Sequence, residues 1–145
     1  MEIYSIGFTH KSASEFFGLL KANGIERLVD VRLNNTSQLA GFTKQSDLPY
    51  FLEEICGASY VHEPLLTPTP EILEKYRQNK EDWEKFLASY RALIRSRKIE
   101  SALSKKDFQK RTILLCGEAS AEHCHRKVAL DYLKEKWGGI TVKHL

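Results

Sequence analysis

Thr112-Ile-Leu-Leu-Cys-Gly-Glu-Ala-Ser-Ala-Glu-His-Cys-His-Arg126 reads as a strand, a tight connection and the opening of a helix. Ile113, Leu114 and Leu115 form a continuous apolar block between polar flanks, the pattern of a strand buried on both faces. Cys116-Gly117 closes that strand, and Ser120 is placed to cap a helix running from about Ala121 to Trp137. A strand buried on both faces and followed by a helix is the unit of a parallel sheet covered by helices. A loop leaving the carboxyl end of such a strand, just before a helix N-terminus, is the usual ligand position in an open α/β sheet. Here the loop and its flanks carry two thiols, a carboxylate, an imidazole and a guanidinium.

The chain on either side repeats the alternation. Glu2 to Ile6 is a first strand ending at Gly7, and Ser12-x-x-Glu15 is a capping box. Ala13, Phe16, Phe17, Leu20 and Ile25 give the helix after it an apolar stripe, which Asn23-Gly24 stops. Arg27 to Val31 is a second strand. Asn34 to Gln45 is polar, lacks a period and reads as a loop. Ser46 or Asp47 then caps a short helix with Pro49 in its first turn, reaching Cys56-Gly57. Ser59 to Glu63 is a third strand, and Pro70 sits at the first position of another helix. Trp83, Phe86, Leu87, Tyr90, Leu93 and Ile94 recur at helical spacing, and aromatic residues in such a stripe are usually core. Gly138-Gly139 ends the last helix, and Ile140 to Leu145 is a fifth strand.

Five strands alternating with helices predict one three-layer α/β domain, Rossmann-like, with a mostly parallel sheet. The expected strand order is 3-2-1-4-5, with the strands from Glu2 and Thr112 adjacent at the centre. Their carboxyl ends would then border a crevice where the winding reverses. Gly7 to His10, Asp30 to Arg32 and Cys116 to Glu118 would face it.

Composition sets the class. The chain has 145 residues, 42% hydrophobic and 28% charged, with three cysteines. An odd, small cysteine count implies no disulfide framework and makes the cytoplasm the expected location. There is no signal-peptide pattern and no apolar run of membrane length. The net charge of +3 is unevenly placed: Arg91 to Arg111 holds eight basic residues against Glu100 and Asp107. That segment could hold nucleic acid. A solvated helix face explains it as well, and no helix-turn-helix, zinc-finger or RNA-binding signature accompanies it.

Several residues have candidate chemistry. Val128, Ala129, Tyr132 and Leu133 define the buried face of the last helix, with His125 near its centre and Cys124 and Arg126 at its edges. Cys116 is the leading nucleophile candidate, since a thiol beside a helix N-terminus is favoured as thiolate. Glu118 and His125 are the candidate acid/base groups. Gly7, Thr9 and His10 resemble an anion-accepting turn, although G-x-G-x-x-G is absent, which argues against a dinucleotide cofactor. Asp30 and Arg32, on alternate residues, either pair with each other or contact ligand. Arg126 is either an anion clamp or an ion-pair partner of Glu118 or Asp30. Cys116, Cys124 and His125 are conceivable zinc ligands, with His62, His10 or Cys56 as a fourth. The spacing is not that of structural zinc, so no metal is expected. Cys56 reads as a structural thiol.

Taken together, Tyr4-Ser-Ile-Gly-Phe-Thr9, Phe16-Phe17, Leu19-Leu20-Lys21, Gly24-Ile25, Val29-Asp-Val-Arg32 and Cys116-Gly-Glu118 with Cys124-His-Arg126 resemble the family called domain of unknown function 488. The resemblance spans most of the chain and implies a compact intracellular α/β domain without a settled reaction. Many members read Ile-Gly-His-Ser in the first motif. Phe8 and Thr9 stand in the last two of those places here, leaving His10 as the imidazole to stand in. The expected activity is a small enzyme or ligand-binding domain taking a small anionic ligand, nucleotides among the candidates. Cys116, Glu118 and His125 would be catalytic, and Gly7, Thr9, His10, Asp30, Arg32 and Arg126 would bind the anion. The alternatives are a nucleic-acid module using Arg91 to Arg111, or a thiol-redox sensor pairing Cys116 with Cys124.

Overall fold

A computed structural model describes residues 1–34, 41–77, 82–117 and 122–145. In chain order the elements are β1 (Glu2–Gly7), α1 (Ala13–Ala22), β2 (Arg27–Asp30), α2 (Leu48–Phe51), β3 (Ser59–His62), α3 (Pro70–Arg77), α4 (Trp83–Ser96), α5 (Ile99–Ala102), β4 (Thr112–Cys116), α6 (His125–Trp137) and β5 (Thr141–His144). The capping box forms: Ser12 accepts from the Glu15 amide, and Glu15 accepts from the Ser12 amide. Pro70 opens α3, where its missing amide costs no hydrogen bond. Beyond Phe51 the chain makes one π-helical turn to Cys56, and Gly57 ends it in the left-handed region at φ 63°.

The last helix starts later than the sequence suggests. Cys124 is still extended, at φ −134° and ψ 140°, so the helix opens at His125 with Cys124 as its N-cap. Ser120 and Ala121, expected to cap and begin it, lie outside the described residues. So do residues 35–40 of the expected 34–45 loop.

Every strand pairing is parallel, and the order is β3-β2-β4-β1-β5 rather than 3-2-1-4-5. The difference has a physical cause. The central slot needs a strand apolar on both faces with neighbours along both edges. β4 meets that condition: all five of its residues are buried. Ile113 and Leu115 enter one core and Leu114 and Cys116 the other. β1 carries Ser5 within it and takes the largely exposed edge strand β5 as its outer neighbour. The β1–α1–β2 crossover therefore spans a gap, which β4 fills.

This arrangement places the helices. Moving from β1 to β2 and on to β3 runs one way across the sheet, and the return through β4 to β5 runs the other. Right-handed crossovers put these two sets of helices on opposite faces. Phe16, Phe17 and Leu20 of α1 pack with Leu48, Tyr4, Ile6 and Ile113 on one side. Phe86, Tyr90 and Ile94 of α4 and Val128, Ala129, Leu130, Tyr132 and Leu133 of α6 pack on Val29, Val31 and Leu114 on the other. Each fully buried Leu or Ile contributes about 1.5–3 kcal/mol. β4 leads to one face, while β1 and β2 on either side of it lead to the opposite face. Crevices therefore flank the carboxyl end of β4 on both edges, where parallel sheets bind ligands.

Candidate functional site

Register sets the first contacts. Gly7 lies opposite Cys116, and Asp30 opposite Leu115, so the β1, β2 and β4 ends form one ledge. The amide of Val31, just past β2, still donates to the Leu115 carbonyl at 3.1 Å. Cys116 faces the α4 and α6 side, and α6 starts directly over it.

Three side chains converge there. Cys124 donates its S–H to the Cys116 sulfur, Sγ to Sγ 2.7 Å. The Cys116 sulfur lies 3.8 Å from His125 Nδ1, and His125 Nε2 lies 2.8 Å from the Val31 carbonyl oxygen. A carbonyl can only accept, so Nε2 carries a hydrogen and Nδ1 is the nitrogen presented to Cys116. Tyr90 meets the imidazole edge-on, with ring centroids 5.3 Å apart. All three groups are buried, as the helical wheel suggests for His125 alone. Cys124 and Arg126 are enclosed as well, because each edge of the first α6 turn meets a strand end.

The electrostatics agree with the contacts. Burial works against the His125 imidazolium, but the Cys116 sulfur and the Val31 carbonyl outweigh it, and its pKa rises. Burial pushes the Cys124 thiol up, and its hydrogen bond to Cys116 pushes it further, keeping it a neutral donor.

Arg32 and Asp30 form a buried two-bond ion pair, Nε to Oδ1 and Nη2 to Oδ2 both 2.9 Å. Tyr60 donates to the same carboxylate at 2.6 Å, and the Arg32 guanidinium also reaches the Thr43 hydroxyl and carbonyl. His62 is held at the Arg32 carbonyl, 3.0 Å away. The guanidinium lies 5.5 Å from the centre of the Phe8 ring. Thr9 bonds the Gly117 carbonyl through both its amide and its hydroxyl, tying the turn after β1 to the end of β4. His10 is exposed at φ 64° and is not part of the cleft wall.

Arg126 lies on the other side of α6, fully buried, with Nε donating to Ser5 Oγ at 3.1 Å. Ser5 Oγ in turn contacts His144 Nδ1 on β5. His125 thus reaches toward β2 while Arg126 reaches toward β1. Glu118 lies outside the described residues.

In front of the sulfurs is a cleft of about 270 Å³ whose wall includes Cys116, Cys124, His125, Thr9 and Arg32. Its far wall is Leu73, Tyr76 and Arg77 of α3 with Phe86 of α4. The α3 residues escape sequence reading. Tyr76 lies on the apolar stripe with Ile72 and Leu73, where an aromatic is ordinarily core, and Arg77 has no local signal. The Tyr76 and Phe86 rings meet at a tilt of 37° with centroids 4.7 Å apart, and His123 lies against Trp83 at 5.1 Å.

The sulfurs and the imidazole of Cys116, Cys124 and His125 all lie within 4.8 Å of one another. None of the suggested fourth ligands joins them: His62 is bound at Arg32, Cys56 at the Phe17 carbonyl 3.9 Å away, and His10 is exposed. Much of the basic segment is tied down. Arg91 pairs with Glu135, Arg97 donates to the carbonyls of Pro64, Leu65 and Thr67, and Arg111 to that of Asn23. Arg95, Lys98, Lys106 and Lys110 are exposed. No helix among the described residues is long and apolar enough to cross a membrane.

Neither the curated proteins nor the solved structures yielded a match to this chain. A family model does match, over residues 12–133, from the α1 cap through most of α6, and by that match the chain belongs to the family described as Domain of unknown function DUF488.

Proposed function

We propose that the chain is a small enzyme that uses Cys116 as a thiolate nucleophile on a small anionic ligand bound in the cleft. The observation that carries this reading is the orientation of His125. Its Nε2–H is committed to Val31, so Nδ1 is the ring nitrogen that faces Cys116 and would take its proton. Cys124 supports the thiolate by donating to it. The sulfur would form a bond to an electrophilic centre of the ligand, and the departing group would leave with the proton held at His125. Arg77 at the rim and the N-terminus of α6 supply positive potential for the anion. Glu118 keeps its expected role as a second acid/base group, while Arg126, expected to bind the anion, would instead act as a buried charge behind the ledge. Arg32 and Asp30 shape the wall by locking each other.

The test is alkylation of reduced, metal-free protein across pH, followed residue by residue by peptide mass spectrometry. Cys116 should react as a thiolate at neutral pH, and His125→Ala should slow that reaction roughly tenfold or more. A Cys116 that stays inert until the protein unfolds would overturn the proposal.

The Cys116–Cys124 contact favours a second reading, a redox pair. With hydrogen peroxide as oxidant, the two thiols would give up two protons and two electrons, forming one S–S bond and two waters. Mild peroxide treatment should then lower the mass by two hydrogens with the linkage at these two residues. Stable sulfinic acid on Cys116 without a disulfide would exclude the pair.

A further inference from the structure

We propose that Cys116, Cys124 and His125 form a binding site for one soft divalent ion of the zinc class, with the fourth coordination position open to the cleft. This goes beyond the thiolate reading and does not depend on it.

The donor set is the first argument. Two sulfurs and one imidazole select zinc-like ions over magnesium or calcium, which need oxygen ligands. These donors are brought together by the fold, within 4.8 Å of one another, from the end of a central strand and the first turn of a helix.

Orientation is the second. A zinc-bound histidine normally donates its other ring N–H to a carbonyl or carboxylate, which fixes the ring and raises its basicity. His125 has that arrangement already, with Nε2 on the Val31 carbonyl at 2.8 Å and Nδ1 toward the sulfurs.

Separation is the third. Zinc lies about 2.3 Å from sulfur and about 2.0–2.1 Å from nitrogen, so tetrahedral ligands stand roughly 3.5–3.8 Å apart. The Cys116 sulfur and His125 Nδ1, at 3.8 Å, already meet this. The Cys124 sulfur, at 2.7 Å from Cys116, must withdraw by about 1 Å. Rotation about its Cα–Cβ bond can provide this, at an extended residue just ahead of the helix. Metal binding replaces the S–H···S contact with two thiolate–metal bonds and releases the thiol protons.

Three protein ligands with a fourth position open is the pattern of catalytic rather than structural zinc. All three residues line the cleft, so the open position would meet whatever occupies it. A bound ion would also occupy the electron pair that Cys116 needs as a nucleophile. Metal binding and alkylation should therefore exclude one another.

The experiment titrates reduced, metal-free protein with Zn2+ against a chromophoric chelator, and with Co2+ as a spectroscopic probe. The expected result is about one equivalent bound, with thiolate-to-cobalt charge-transfer absorption. His125→Ala should weaken binding roughly tenfold or more, and the Cys116→Ser/Cys124→Ser double variant should abolish it, while Cys56→Ser leaves it unchanged. If the double variant does not fold, wild-type protein still decides the matter: Zn2+ should slow alkylation of Cys116 and Cys124 but not of Cys56. Zinc uptake that protects none of the cysteines, or only Cys56, would overturn the site. Alkylation of the metal-free protein reads the thiolate proposal separately, so either can fail without the other.

Discussion

The Val31 carbonyl oxygen accepts from His125 Nε2 at 2.8 Å, joining the end of β2 to the first residue of α6 across the tip of β4. That single bond determines which ring nitrogen faces Cys116. It also removes a buried carbonyl's need for another partner. His125→Gln should therefore be milder than His125→Ala, because an amide can still donate to Val31. The alanine variant should lose about 1–3 kcal/mol from the unpaired carbonyl. Both variants should slow Cys116 alkylation near neutral pH, by roughly tenfold or more if general-base assistance is lost. Chemical denaturation and peptide-resolved labelling, run in parallel, separate the two effects.

His125, in the first turn of α6, and His144, on β5, are shifted in opposite directions. His125 is raised, with burial opposed and outweighed by Cys116 and the Val31 carbonyl. His144 is lowered, by burial first and then by the Arg126 charge. Their unfolded values are both near about 6.5. A raised pKa contributes stability present below the unfolded value and lost as pH climbs through the folded one. A lowered histidine pKa does the reverse: its contribution is present above the unfolded value and lost as pH falls from there through the folded one. Stability of the reduced, metal-free protein should thus decline on both sides of about pH 6.5. His125→Gln should flatten the alkaline limb and His144→Gln the acid limb in urea denaturation across pH. An unchanged alkaline limb in His125→Gln would show that the imidazolium is not favoured by the fold.

Element identity could be read from the residues far better than element order. Apolar runs such as Ile113 to Leu115, bounded by Gly, Pro and caps, mark strands through local chemistry alone. A β1–α1–β2 unit says that two strands are parallel, but not whether a third separates them. That is decided by which strand can be apolar on both faces, and the all-buried run from Thr112 to Cys116 holds the hint. The site divides in the same way. Helical periodicity turns His125 inward, whereas the Cys116–Cys124 contact depends on the path of the intervening loop. Tyr76 and Arg77 reach the cleft only because α3 folds back over the strand ends, a long-range fact with no local signature.

The order of strands makes its own prediction. β4 is hydrogen-bonded on both edges by β1 and β2, while β5 and β3 are edge strands. Amides of Leu114 and Leu115 should be among the slowest to exchange with deuterium, and those of Thr141 to His144 faster. Leu114→Ala should cost about 2–5 kcal/mol, since the side chain is fully buried in the α4/α6 core. Val142→Ala, on a half-buried edge residue, should cost well under that. Comparable losses at both positions would contradict a central β4.

The Asp30–Arg32 pair is the last structural commitment to test. Asp30 is wholly buried and accepts from Arg32 through both oxygens and from Tyr60. Removing one member leaves the other as a buried charge without its counterion. Asp30→Asn should therefore cost about 3–5 kcal/mol, measured by denaturant unfolding. Arg32→Lys should also be costly, because an ammonium cannot make the two parallel bonds to the carboxylate and still reach Thr43. Tyr60→Phe, which removes one hydrogen bond to a charged group, should cost about 1.5–3 kcal/mol. If Arg32 acts directly on ligand instead, Arg32→Lys would leave stability nearly intact and weaken binding of an anionic probe such as inorganic phosphate. The ion-pair geometry predicts the opposite: a large loss of stability, with phosphate affinity responding instead to Arg77→Ala at the exposed rim.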